Sequence, residues 1–241
     1  MQGAIRLFKF SGIQVYLHFS WFIVAAYQLT QRLNNYHSQI FAVYEYIALF
    51  AIVLLHEFGH ALACRQTGGS ANHIVLWPLG GIAFVDPPRR PGAVLWSIAA
   101  GPLVNVALVP VLELLWIFAG HAGWSYNAPD TFRLIGTVRL INYVLLIFNL
   151  LPIYPLDGGQ ILRALLWFPF GEIRSLQIAS AIGLVGGAGL AALALLWWSI
   201  WTGILAFFIL SRAIAGWQQA KAMVAEDAAR TASPPPIYPR S

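Results

Sequence analysis

The stretch 51-AIVLLHEFGHALACR-65 decides how the whole chain is read. Aliphatic residues run into His56, Glu57 and His60, and apolar residues resume after them. The run is continuous rather than alternating, which fits a buried or membrane helix and not a barrel strand. On a helix, positions four apart lie one turn apart on the same face. His56 and His60 therefore present two imidazoles to one point, with Glu57 bordering that face and Gly59 leaving room for another backbone.

Composition says what surrounds this helix. The chain has 241 residues, 59% hydrophobic and 10% charged, with a mean hydropathy of +0.69. A soluble domain carries about 25% charged residues, so this inventory cannot build a water-facing surface. Apolar runs of about 20 residues cross roughly 30 Å of hydrocarbon. Six are expected as transmembrane helices, at 13–31, 42–64, 92–119, 132–151 continuing to about 167, 175–197 and 200–217. The division of the last two rests on the polar pause in "LLWWSIWTGILAFF".

Between helices 2 and 3, "SANHIVLWPLGGIAFVD" (70–86) is apolar and β-branched, and it is broken by Pro78 and Gly80-Gly81. It predicts a small membrane-associated β-hairpin, tolerated at membrane depth where it packs on protein or faces water. The expected fold class is thus an all-α polytopic membrane protein of six spans with one hairpin. Residues 1–217 are expected to form one intramembrane domain, and 218–241 a short, partly disordered cytoplasmic tail.

Charge sets the orientation. Arg6, Lys9, Arg65, Arg89, Arg90, Arg163, Arg174, Arg212, Lys221, Arg230 and Arg240 fall on the side of the termini; Arg32, Arg133 and Arg139 fall on the other. This asymmetry predicts an integral multi-pass protein of a prokaryotic cell membrane with both termini in the cytoplasm. The net charge of +5 is thereby accounted for without a nucleic-acid partner. The basic N-terminus is read as leading into a retained first span rather than a cleaved signal. Cys64, the single cysteine, excludes an internal disulfide.

Three ionisable groups near a bilayer centre, each costing at least ~2.5 kcal/mol, need a purpose. HExxH supplies one: two histidines hold zinc and the glutamate serves as general base. The motif also arises by chance, and paired histidines also suit haem, which ordinarily draws ligands from different helices. Hydrolytic zinc takes three protein ligands and keeps a position for water. Asp157 is the leading candidate, since "FNLLPIYPLDGGQILRALL" breaks an apolar span with Pro152, Pro155 and Gly158-Gly159; its other role is helix N-cap. Glu113, Asp86, His121 and Glu172 are weaker candidates. His18 and His73 read as interfacial or packing residues and His37 as a solvated loop residue.

With HExxH on one span and "NLLPIYPLDGG" about a hundred residues later, the chain resembles the site-2 protease family of intramembrane zinc metalloproteases. The likeness covers most of the chain, from "IRLFKFSGIQVYLHFSW" through the last spans. It implies one catalytic zinc per chain on His56, His60 and Asp157, with Glu57 as the base. "AAGPLVN" looks like the family's central motif and points to Gly101 and Asn105. Asn149 matches the asparagine opening the aspartate motif. The resemblance implies that Asn105 and Asn149 hold substrate backbone or an oxyanion, or else tie helices together. "PLGGIAF" resembles the family's membrane-embedded β-segment, whose edge at Gly80 and Gly81 can pair with an unwound substrate. The chain looks like the minimal type, without a PDZ insertion or a C-terminal nucleotide-sensing domain, similar to the protease of sporulation. Its expected partners are a membrane-protein substrate, the lipid bilayer and regulatory membrane proteins. A metal transporter and an inactive scaffold remain as other classes.

Overall fold

Regularity in the sequence breaks into two kinds, period-two stretches at the start and long apolar helices after them, and the elements follow it. The computed structural model describes residues 3–32, 35–77 and 80–232, and the chain divides into two compact units, residues 1–151 and 152–241. The first unit contains β1 (Ala4–Phe10), β2 (Ile13–His18), α1 (Ser20–Arg32), α2 (Ile40–Gln66), β3 (Ser70–Trp77), β4 (Gly80–Asp86), α3 (Pro91–His121), α4 (Trp124–Asn127) and α5 (Pro129–Leu150). The second contains α6 (Asp157–Leu196) and α7 (Ile200–Ala232). Among the described residues five helices are long and apolar enough to cross a membrane: α2, α3, α5, α6 and α7.

The helix expected over 13–31 is not formed. Ile13, Val15 and Leu17 alternate with Gln14, Tyr16 and His18, a strand period, and these residues are β2. Helix α1 that follows has 13 residues, a rise of about 20 Å and too short for a hydrocarbon core. Strand and helix run together beside α2, in the opposite direction. Arg65 donates to the Ser11 carbonyl at one end. Tyr46 donates to the Trp21 carbonyl at 2.9 Å midway. At the other end Arg32 pairs with buried Glu45 at 3.3 Å.

The all-α expectation gives way for the same reason. The expected hairpin exists as β3 and β4, paired antiparallel, but it belongs to a four-stranded sheet in the order β1-β2-β3-β4. Strands β2 and β3 pair in parallel, joined through α1 and α2. Pairing on both sides satisfies the backbone of β2, and Ile13, Val15, Ile74 and Leu76 pack on Val53, Ala61 and Cys64 of α2. Pro78 and Leu79 of the expected hairpin lie outside the described residues.

Helices α2 and α3 meet backbone to backbone. A Cβ on Gly59 would stand 2.6 Å from the Ala100 carbonyl oxygen, the close approach that Gly59 suggested. Polar groups tie α3 to α5: Glu113 accepts from Arg139 at 3.1 Å and from Tyr143 at 2.8 Å. Asp130, at the start of α5, accepts from the His37 and Ser38 amides at 2.9 and 2.8 Å. His37 is therefore held to Asp130 by its amide and by its ring Nδ1, also at 2.9 Å, although most of its side chain is exposed.

In the second unit, α6 is interrupted at Gly171 (φ 79°), two residues after Pro169. The segment before α6 lies on a stripe of small residues: a Cβ on Gly186 would stand 3.0 Å from Ile153, and one on Gly216 would stand 3.0 Å from the Tyr154 ring. The turn between α6 and α7 falls at 197–199, where the Ser199 hydroxyl accepts from the Thr202 amide at 3.3 Å. The polar pause expected to divide the last two spans does divide them. Helix α7 continues through the first part of the expected tail, and residues 233–241 lie outside the described residues.

Adding a methyl at the α2–α3 seam forces apart two backbones, so Gly59→Ala is expected to cost about 1–3 kcal/mol, read as a lower unfolding temperature in detergent. Gly92→Ala is the control, because its Cβ would meet nothing within 4 Å.

Candidate metal centre

Burial concentrates the chemistry on one face of α2. His56, Glu57 and His60 are 5%, 5% and 6% exposed. One ligand atom from each lies within 4.8 Å of the others, a group able to hold a metal ion. The two rings stand nearly perpendicular, and their Nε2 atoms are 3.1 Å apart. Two nitrogens each about 2.05 Å from a tetrahedral zinc stand about 3.3 Å apart, so the observed spacing fits that ion.

Helix α3 supplies what lies around the nitrogens. His60 Nδ1 is 2.9 Å from the Ser97 carbonyl oxygen. A carbonyl only accepts, so Nδ1 carries the proton and Nε2 of the neutral ring keeps its lone pair. His56 Nδ1 is 2.6 Å from Asn105 Oδ1. In front of both Nε2 atoms stands Gly101, whose Cβ would lie 2.8 Å from His56 Nε2 and closer still to His60 Nε2. Only glycine leaves that space open, and it is the space a shared metal needs. The residue set, its spacing and this cradle fit a zinc ion.

The other expected site residues fall in different places. Asp157 is the first residue of α6, in the second unit. Asn149 is half-buried in the last turn of α5. Gly80 and Gly81 open β4, paired to Trp77 and Leu76, and β4 is an edge strand of the sheet. Asn105 was expected to meet substrate or else to tie helices together. It is fully buried, with its side chain shared between His56 and Asn142. Both ends of its amide are engaged by protein, which sets it behind the histidine.

Of the weaker ligand candidates, Glu113 and Glu172 have side-chain partners. Glu113 is bonded to α5 as described. Glu172 lies 3.8 Å from Arg163. His18 is 2.6 Å from the Ser20 hydroxyl and stacked on Trp77, His73 packs beside Tyr16, Asp86 pairs with Ser70 across β3 and β4, and His121 is exposed at the end of α3. Sequence reasoning missed Asn142 and the Ser97 carbonyl. Asn142 carried a signal, an amide in an apolar span; a backbone carbonyl carries none.

The sequence and fold match known proteins. The model of peptidase family M50 matches residues 44–132 and 117–193. A zinc metalloprotease of Methanocaldococcus jannaschii is 36% identical over 183 residues, 76% of this chain and 51% of that protein. Stage IV sporulation protein FB of Bacillus subtilis is 30% identical over 178 residues, 70% of this chain and 54% of that one. The chain thus spans about half the length of both relatives. The solved site-2 protease from M. jannaschii superposes with a TM-score of 0.64 at 30% identity, covering 89% of this chain and 95% of that one.

Gly101→Ala places a methyl against both Nε2 atoms. Metal analysis of the purified protein is expected to fall from about one zinc per chain to near none, and crowding of the two buried rings is expected to lower the unfolding temperature in chelator as well.

Proposed function

Because this chain belongs to peptidase family M50, the site-2 protease family, we propose that it is a zinc-dependent intramembrane endopeptidase. It hydrolyses peptide bonds in or near the transmembrane segments of membrane-tethered substrates. The observation that carries this reading is the convergence of two buried histidines and a buried glutamate on α2 under the opening left by Gly101.

His56 and His60 provide two zinc ligands and Asp157 the third, completing the three-ligand set of hydrolytic zinc. Zinc, when bound, supplies Lewis acidity, acidifying water and polarising a carbonyl. Glu57 takes the proton of the attacking water and passes it to the leaving amine. Burial of Glu57 keeps bulk water from competing for that proton. Asn149 holds substrate backbone, and the edge of β4 at Gly80 and Gly81 pairs with the substrate once its helix has locally unwound. A helical amide is hydrogen-bonded and shielded, so unwinding must precede attack.

The protein crosses the membrane six times, with β2 and α1 together forming the first crossing alongside α2. A strand at that depth is acceptable because its backbone is paired on both sides. Both termini face the cytoplasm, following the basic residues, and residues 1–217 form the protease domain. A metal carrier has no use for a general base between its ligands, and an inactive scaffold has no need to retain one.

Glu57→Gln is expected to abolish cleavage, by at least about a hundredfold, while zinc content stays at wild-type level. Proteomics of membranes carrying wild type or Glu57→Gln then reveals the substrate as the protein that accumulates uncut. Cleavage that persists in Glu57→Gln, or in wild type stripped of metal by chelator, refutes the mechanism; zinc flux into liposomes without proteolysis indicates the carrier.

A further inference from the structure

We propose that Asn142 is a positioning residue for the metal: acting through Asn105, it holds His56 in the tautomer whose Nε2 is free of a proton. The inference rests on the reading of His56 as a zinc ligand.

It starts from a group that has no choice. The backbone carbonyl oxygen of Asn105 only accepts hydrogen bonds. The Asn142 side chain approaches it at 3.0 Å and must present Nδ2 there; the reversed amide would set oxygen against oxygen. Asn142 Oδ1 then faces the Asn105 side chain, which answers with its own Nδ2 at 2.8 Å. Asn105 Oδ1 is left facing His56 Nδ1 at 2.6 Å. An amide oxygen only accepts, so the ring proton sits on Nδ1 and the lone pair of the neutral ring on Nε2. Metal ligation requires that arrangement.

The two histidines are served differently. His60 is oriented by the Ser97 carbonyl, part of a main chain that cannot turn over. His56 is oriented by a side-chain amide, which can rotate by half a turn. Rotated, Asn105 would offer Nδ2 to His56 Nδ1. The ring proton would move to Nε2, pointing at the place the metal occupies. Asn105 is 0% and Asn142 1% exposed, so water does not substitute for either contact. Asn142 is what keeps the amide from turning, and it is tied through Asn105 O to the backbone of α3.

The alternative is that Asn142 merely joins α5 to α3. Zinc affinity by chelator competition, on the full chain in detergent, separates the two, with thermal unfolding in chelator as the check on folding. Asn142→Leu is expected to weaken zinc binding roughly 10–100-fold. The decisive pair uses the Asn105→Asp background, where a carboxylate presents an acceptor to His56 from either oxygen. There, adding Asn142→Leu leaves zinc affinity where Asn105→Asp alone puts it. The proposal is overturned if Asn142→Leu binds zinc as wild type does, or loses the same factor in both backgrounds; Asn142→Ala is read the same way should the leucine variant not fold. Wild type without zinc affinity, or His56→Ala with undiminished affinity, refutes the underlying assignment of His56 instead.

Discussion

Everything at the candidate centre depends on how closely α2 approaches α3. Gly59 lets the Ala100 carbonyl come against α2, and Gly101 leaves a gap before the two Nε2 atoms. At a wider helix spacing the Ser97 carbonyl and Asn105 would not reach His60 and His56. Two missing side chains thus set the distance at which backbone and amide groups orient two rings. Small residues serve this purpose in membranes because lipid supplies no hydrophobic drive to bring helices together.

Polar contacts do the rest of the joining. Glu113 with Arg139 and Tyr143 links α3 to α5, and Asp130 fastens the loop before α2 to the start of α5. Glu45, 1% exposed, gathers Arg32, Gln28 and Tyr36. Burial first, and then the bond to Glu45, push the Tyr36 hydroxyl up to about 12, so it remains a donor throughout the neutral range. Each of these groups has a partner, as buried ionisable residues must.

Much of this was legible in the order of residues. The apolar runs mark α2, α3, α5 and the last two helices, and the spacing of His56 and His60 needs only helical geometry to place two imidazoles together. The first span was misread because 13–31 is apolar on average. Average hydropathy does not distinguish a strand followed by a short helix from one long helix, while the alternation in "IQVYLH" does. For Asn105 the sequence left two roles open, because a motif names a residue and not the direction of its side chain.

The sequence by itself determined the solvent, the approximate helices and the donor types, because hydropathy and helical periodicity are local properties. Tertiary structure alone decided that four strands form one sheet along α2, and that Glu113 belongs to an ion pair. It also decided that the orientation of His56 runs back through Asn105 to Asn142, 37 residues further along the chain. Hydrogen-bond direction depends on which donor meets which acceptor in space, and that is settled only once α2, α3 and α5 are packed.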